Sequence, residues 1–227
     1  MKEKEIERLN NLKKEENEFY SKGMKFVCGI DEAGRGPLAG PVVVACCLMD
    51  KDSMIEGVND SKKISEKKRE KIYEQIVNEA IAYGVSIIGE KEIDKVNILN
   101  ATKEGLTESI KNMKEQLSKK NLSNPDVILV DALTGIDTLG IPYKSIIHGD
   151  AISYSIACAS IIAKVTRDRI MRQLDLKYPE YGFAKHKGYG TKDHYAGIRE
   201  KGMCPIHRRT FLKVIHWYRS YLSSSWA

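Results

Sequence analysis

Gly29-Ile30-Asp31-Glu32-Ala33-Gly34-Arg35-Gly36-Pro37-Leu38-Ala39-Gly40-Pro41 decides how this chain is read. It follows Phe26-Val27-Cys28, an apolar run that reads as a strand, so two adjacent carboxylates stand where a buried strand is expected to end. Asp and Glu are rarely buried unless they are paired or bind a metal. The glycines on either side of Arg35 let backbone N–H groups approach a ligand closely. The stretch therefore reads as an acidic, metal-binding site beside a loop that touches phosphate or sugar.

Working outward, Val42-Val43-Val44-Ala45-Cys46-Cys47-Leu48 is a second apolar run, and the glycine- and proline-rich connection makes the two an antiparallel pair. Ser65 to Ala82 reads as a helix with Ser65 as its N-cap and Ile72, Ile76, Val77 and Ile81 on one face. Tyr83 to Ile88 is a third strand, and Asn97 to Leu117 an amphipathic helix. Val127 to Val130 is a strong strand ending at Asp131; Tyr143 to Ile147 is a weaker one with Asp150 just beyond. Ile152 to Leu176 is a long helix closed by Pro179, and two more helices are expected at Lys192 to Lys201 and Thr210 to Leu222. At the start, Lys2 to about Tyr20 alternates charges behind a thin stripe of Ile6, Leu9, Leu12 and Phe19, a helix expected to pack lightly. A strand pair followed by alternating helices and strands implies an α/β fold, a mixed sheet with helices on both faces. The expected division is 1–22 as a charged helical extension, 23–178 as the core, and 179–227 as a helical segment that completes the same unit.

Composition bounds the function. The chain has 227 residues, 42% of them apolar, enough for one α/β domain with a real core. The formal charge is +6, and Lys185 to Arg209 carries seven Lys/Arg against two acids, a local patch suited to a polyanion or a plain solvated face. The five cysteines form no C-x-x-C pair, so neither a zinc ribbon nor a disulfide framework is indicated, and a reducing cytoplasm is expected. The N-terminus is charged rather than a signal peptide, and no apolar stretch is long enough for a bilayer.

Three separate apolar runs end at or near an aspartate: Asp31, Asp131 and Asp150, with Glu32 as a fourth acid. Gathering like charges without a cation costs several kcal/mol, so such a cluster points to hard divalent ions, Mg²⁺ or Mn²⁺. Zinc would want His or Cys ligands, and no H-E-x-x-H occurs. Singly, each aspartate reads as a turn or cap residue. Asp168, between Arg167 and Arg169, reads as an ion-paired helix residue, although spacing alone does not rank Asp150 above it. No Ser-His-Asp or Cys-His order points to a covalent nucleophile. The five histidines are scattered and none is given a catalytic role.

These residues resemble the first motif of the type 2 ribonucleases H, specifically the ribonuclease HII family. Further matches follow in order: Asn59-Asp60-Ser61-Lys62-Lys63, Asn97-Ile98-Leu99-Asn100-Ala101-Thr102, Val130-Asp131 and His148-Gly149-Asp150. Then come Ala159 to Arg169, His186-Lys187-Gly188-Tyr189-Gly190-Thr191, and Pro205-Ile206-His207-Arg208. The resemblance implies an RNase H-like fold with a five-stranded central sheet and a C-terminal helical extension. It implies an endonuclease that cuts the RNA strand of RNA–DNA hybrids, and cuts 5′ of ribonucleotides embedded in duplex DNA, leaving 3′-hydroxyl and 5′-phosphate ends. By motif, Asp31, Glu32, Asp131 and Asp150 are the catalytic acids that hold two divalent ions, Mg²⁺ or Mn²⁺, and Asp168 is structural. Gly34, Arg35 and Gly36 resemble the family's ribose sensor, Tyr189 the tyrosine that stacks on the adjacent deoxyribose, and Lys62 a phosphate-contacting lysine; Lys187 and Lys185 are candidates for backbone contacts. The expected protein is monomeric, with no membrane partner. A non-catalytic nucleic-acid-binding protein, and a nuclease for another substrate on the same fold, are the rivals. Unneutralised acids count against the first, and the Gly34-Arg35-Gly36 turn with Tyr189 against the second.

Overall fold

The computed structural model describes residues 1–212. Five strands form one sheet in the order β3-β2-β1-β4-β5: β1 Val27–Ala33, β2 Val42–Leu48, β3 Ala82–Ile88, β4 Val127–Asp131 and β5 Tyr143–Ile146. β1 to β3 are joined antiparallel, while β4 and β5 run parallel to β1, so the sheet is mixed as the strand order predicts.

β2 explains why both faces are covered. Val43, Ala45 and Cys47 point into one apolar cluster, Val44, Cys46 and Leu48 into the other, and all six are fully buried. On the first face lie α7 (Tyr154–Lys177), α3 (Glu66–Glu79) and α1 (Glu3–Leu12); on the second lies α5 (Ile98–Lys119). The start of α7 packs directly on β1 at Gly29, where an added Cβ would stand 2.1 Å from the carbonyl carbon of Ser155.

Several boundaries differ from the sequence reading. β1 runs through Asp31 and Glu32, which pair with Ala45 and Val44, because β2 continues beside them; the acids lie inside the strand rather than beyond it. Asp150 does not follow a strand directly. His148 turns the chain in the left-handed region at φ 58°, and Asp150 sits in a short helix, α6 (Gly149–Ile152), separated from α7 by Ser153. The N-terminal stretch is two helices, α1 and α2 (Lys14–Ser21), and it is built into the core. Leu9 and Leu12 are buried in the first cluster, and the buried Glu16 carboxylate accepts hydrogen bonds from Ser153 Oγ, Ser155 N and Ser155 Oγ. Ser65 precedes α3 but makes no side-chain cap bond. α4 (Glu90–Val96) and α8 (Phe183–His186) are not foreseen from sequence, whereas α9 (Lys192–Lys201) has the expected bounds. α10 covers Arg209–Leu212; the rest of the expected helix to Leu222, and His216, lie outside the described residues. Among the described residues no helix is long and apolar enough to cross a membrane. All five cysteines are free thiols, and four of them are buried.

Candidate active site and nucleic-acid groove

β1 delivers Asp31 and Glu32, the adjacent β4 delivers Asp131, and α6 delivers Asp150. Asp31 is 6% exposed and Asp150 7% exposed. The Asp31 Oδ1 accepts the Glu32 N–H at 2.7 Å, and Asp131 Oδ1 accepts the Gly149 N–H at 2.7 Å, which ties β4 to the helix carrying Asp150. Burial, then the charges of Glu32 and Asp131, push the Asp31 carboxyl well above the usual carboxylate range. Burial also raises Glu32, against the pull of Arg35, and raises Asp150, aided by Asp60 and Asp131. Asp31 and Asp150 are thus buried and Glu32 half-buried, and each feels another acid of the set.

Two cations of the chain already enter this field. Arg35 Nη1 lies 3.4 Å from Glu32 Oε1, and Lys62 Nζ lies 3.6 Å from Asp150 Oδ2. Among the described residues no three acidic, histidine or cysteine side chains form a ready-made cage for one ion. The donor chemistry nonetheless fits a hard divalent cation: carboxylate oxygens only, gathered from β1, β4 and α6. Asp60, which sequence reasoning quoted in a motif without a role, is a further carboxylate in contact with Asp150 and orders the Lys62 backbone through a 2.9 Å bond to its N–H.

A cavity of about 520 Å³ opens beside these acids and is lined by Asp31, Glu32, the whole Gly34-Arg35-Gly36 turn, Lys62 and Tyr189. Tyr189 is 44% exposed, and its ring edge stands 3.8 Å from where a Cβ on Gly36 would sit. Gly34 has φ +101°, and an added Cβ would fall 2.0 Å from Arg167 Nε, so the turn requires glycine there.

The support behind the turn is the part sequence reasoning missed. Arg208, fully buried, donates through Nε to Gly40 O, Nη1 to Arg35 O and Nη2 to Gly34 O at 2.7–2.9 Å. Arg167 does not pair with its neighbour Asp168; it donates to the carbonyls of Pro41, Lys187 and Ala39. Both guanidiniums thus satisfy backbone carbonyls of the loop between β1 and β2, and burial lowers them, to about 9 for Arg208 and about 10 for Arg167. Asp168 is buried and structural in placement: it binds Arg69 at 3.2 Å and Lys164 at 2.5 Å. An arginine followed in its helix by an acid gave no sign of reaching a distant loop.

Part of the basic stretch is engaged within the chain. Besides the buried Arg208, Lys185 pairs with Asp193, Lys201 with Glu200, and Lys187 turns its ammonium to Ala184 O and Glu66 rather than into the cavity. Folding buries Arg208 alone of these cations, and Lys185, Lys192, Arg199, Lys201 and Arg209 stay exposed. The histidines, scattered in sequence, are gathered in space: His186, His194 and His207 form a buried cluster with Phe183 and Tyr181.

The family model described as Ribonuclease HII matches residues 28–217. Ribonuclease HII of Acetivibrio thermocellus is 51% identical over 93% of this chain and 79% of its own length. That of Clostridioides difficile is 53% identical over 93% of this chain and 80% of its own length. Among solved structures, ribonuclease H2 of Pyrococcus horikoshii superposes with a TM-score of 0.66 at 28% identity, covering 82% of this chain and 93% of that one. A match through nearly the whole chain, on the sheet and the acidic groove just described, makes this protein a member of the ribonuclease HII family, a ribonuclease H-type endonuclease.

Proposed function

We propose that this enzyme hydrolyses the RNA strand of RNA–DNA hybrids and cuts 5′ of ribonucleotides embedded in duplex DNA, leaving 3′-hydroxyl and 5′-phosphate ends. One observation carries the reading: a single cavity brings Asp31 and Glu32 to the Gly34-Arg35-Gly36 turn, Lys62 and Tyr189. Asp31, Glu32, Asp131 and Asp150 are the residues that would hold Mg²⁺ or Mn²⁺. A bound pair of such ions supplies an activated water and stabilisation of the leaving oxygen in a phosphodiester displacement.

The chain's own residues do the rest. The backbone of the Gly34–Gly36 turn, whose Gly34 and Arg35 carbonyls Arg208 holds, is suited to read a 2′-hydroxyl, the group that separates RNA from DNA at one nucleotide. Tyr189 offers an exposed ring beside that turn, suited to stack on the neighbouring deoxyribose and so to mark an RNA-to-DNA junction. Lys62, largely in solvent beside Asp150, is suited to a phosphate of the cut strand. Phosphate contacts of this kind position the duplex without specifying sequence.

The test compares three labelled duplexes with Mg²⁺ or Mn²⁺: all DNA, an RNA–DNA hybrid, and DNA with one ribonucleotide. Cutting restricted to the RNA strand and to the 5′ side of the single ribonucleotide is expected, with end-group analysis giving 3′-hydroxyl and 5′-phosphate. Equal cutting of the all-DNA duplex overturns the reading.

A further inference from the structure

Two adjacent residues of the C-terminal segment reach both edges of the cavity. Arg208 holds the carbonyls of Gly34 and Arg35. His207 reaches the other edge through a relay: its Nε2 lies 3.0 Å from His194 Nε2, and His194 Nδ1 lies 2.9 Å from the carbonyl of Tyr189. The segment is itself pinned to the loop, since Arg208 N donates to Leu38 O and Gly40 N donates to Ile206 O.

One proton arrangement gives the Tyr189 carbonyl a donor. The Cys204 N–H donates to His207 Nδ1 at 3.0 Å, with the Cys204 carbonyl 3.2 Å from the same nitrogen; with Nδ1 accepting that N–H, His207 carries its proton on Nε2 and donates it to His194 Nε2. His194 then keeps a proton on Nδ1 for the Tyr189 carbonyl. The reverse arrangement would set a bare His194 nitrogen against that carbonyl. Both rings are almost wholly buried, at 0% and 2% exposure, and burial keeps them neutral. A core histidine pair that only filled space could end on any element. This one ends on the peptide of the exposed residue that faces the groove.

We propose that the His207–His194 relay is a specificity-determining positioning device: anchored beside Arg208, it holds Tyr189 at a fixed separation from the Gly34–Gly36 turn, and so sets the discrimination in favour of RNA–DNA junctions. The proposal rests on the roles given above to that turn and to Tyr189. The relay touches no substrate and acts through Tyr189.

The experiment uses the parent, Tyr189→Ala, His194→Phe and the double variant. The quantity read is the ratio of kcat/KM on a single-ribonucleotide duplex to kcat/KM on a continuous RNA–DNA hybrid. His194→Phe keeps the ring volume and deletes both hydrogen bonds; it is expected to lower the ratio about tenfold. Because His194 acts through Tyr189, the double variant is expected to fall no lower than Tyr189→Ala alone. A purely structural role predicts losses that multiply, and that result overturns the relay. So does an unchanged ratio in His194→Phe when Tyr189→Ala lowers it. If Tyr189→Ala leaves the ratio unchanged, the stacking role of Tyr189 falls first and the relay with it. Should His194→Phe fail to fold by circular dichroism, His207→Gln and His207→Leu replace it. The amide keeps a donor toward His194 and is expected to hold the ratio within about threefold of the parent, while Leu loses it. Equal ratios for Gln and Leu overturn the proposal.

Discussion

Nζ of Lys62 stands 3.6 Å from Oδ2 of Asp150, an ammonium largely in solvent beside a carboxylate largely out of it. Burial draws this ammonium's pKa down, but Asp150, Asp31, Asp60 and Asp131 more than offset that and raise it. A lysine held charged at the rim of the acids is available to a phosphate entering the groove. Lys62→Gln is expected to raise KM for a hybrid duplex about fivefold with a smaller change in kcat, and to lessen the salt dependence of binding by about one phosphate's worth. Steady-state kinetics at several salt concentrations check both; an unchanged salt slope removes Lys62 from the phosphate contacts.

Asp31 combines burial with repulsion from Glu32, Asp131 and Asp150, and its named hydrogen bond comes from the next residue's N–H. Asn at this position can still accept that bond but removes one of the clustered charges. Asp31→Asn is therefore expected to lower cleavage by roughly 10³-fold while hybrid binding persists. In the same variant, metal-free stability is expected to rise by about 1 kcal/mol, because a buried like charge is gone. Denaturant unfolding in EDTA measures the second effect. Retention of more than a few per cent of the rate would sink the role of Asp31.

Much of this was legible in the chain. Continuous apolar runs such as Val42–Leu48, buried on both faces, leave little choice about a central strand, and acids at the ends of Val27–Ile30 and Val127–Val130 mark where two neighbouring strands meet a groove. What sequence does not carry is where long side chains reach. Arg167 sits beside Asp168 in the helix yet bonds to Pro41, Ala39 and Lys187, while Asp168 turns to Arg69 and Lys164. Helical neighbours at i and i+1 do not face each other, so adjacency was the wrong guide to pairing. The histidine cluster was invisible for the same reason: His186, His194 and His207 belong to three elements that converge only on folding. Asp60 carried no role in the sequence reading, and its contact with Asp150 depends on α6 turning back through His148.

The Asp168 pair predicts a stability loss distinct from any metal effect. Its carboxylate is 2% exposed and answers two cations, Arg69 and Lys164. Removing it leaves the buried Arg69 and the half-buried Lys164 without their carboxylate, a change that costs about 3–5 kcal/mol for buried pairs. Asp168→Ala is expected to lower the thermal midpoint by ten degrees or more, on the order set by the unfolding entropy of a chain this size. The Mg²⁺ concentration for half-maximal cleavage below that midpoint should stay as in the parent. A shift in it would mean that Asp168 belongs with the metal acids after all.

Acid should loosen the region around Tyr189 through the two buried imidazoles. Burial lowers His194 and His207 to about 4, against an ordinary value near 6.5 in the unfolded chain. A histidine depressed in the folded state stays neutral while the unfolded chain takes up its proton. Their contribution is thus complete above about pH 6.5 and is lost as pH falls toward 4, at most by roughly 3 kcal/mol for each ring. Asp31, Glu32 and Asp150 are shifted upward and act in the opposite sense, so total stability alone does not isolate the histidines. The difference between the parent and a His194→Phe, His207→Leu double variant does. Denaturant unfolding at pH 7.5 and pH 4.5 is expected to give the parent a larger fall than the variant, by several kcal/mol. Parallel curves for the two proteins would show that the rings titrate normally and are not the closed, neutral relay that holds the tyrosine.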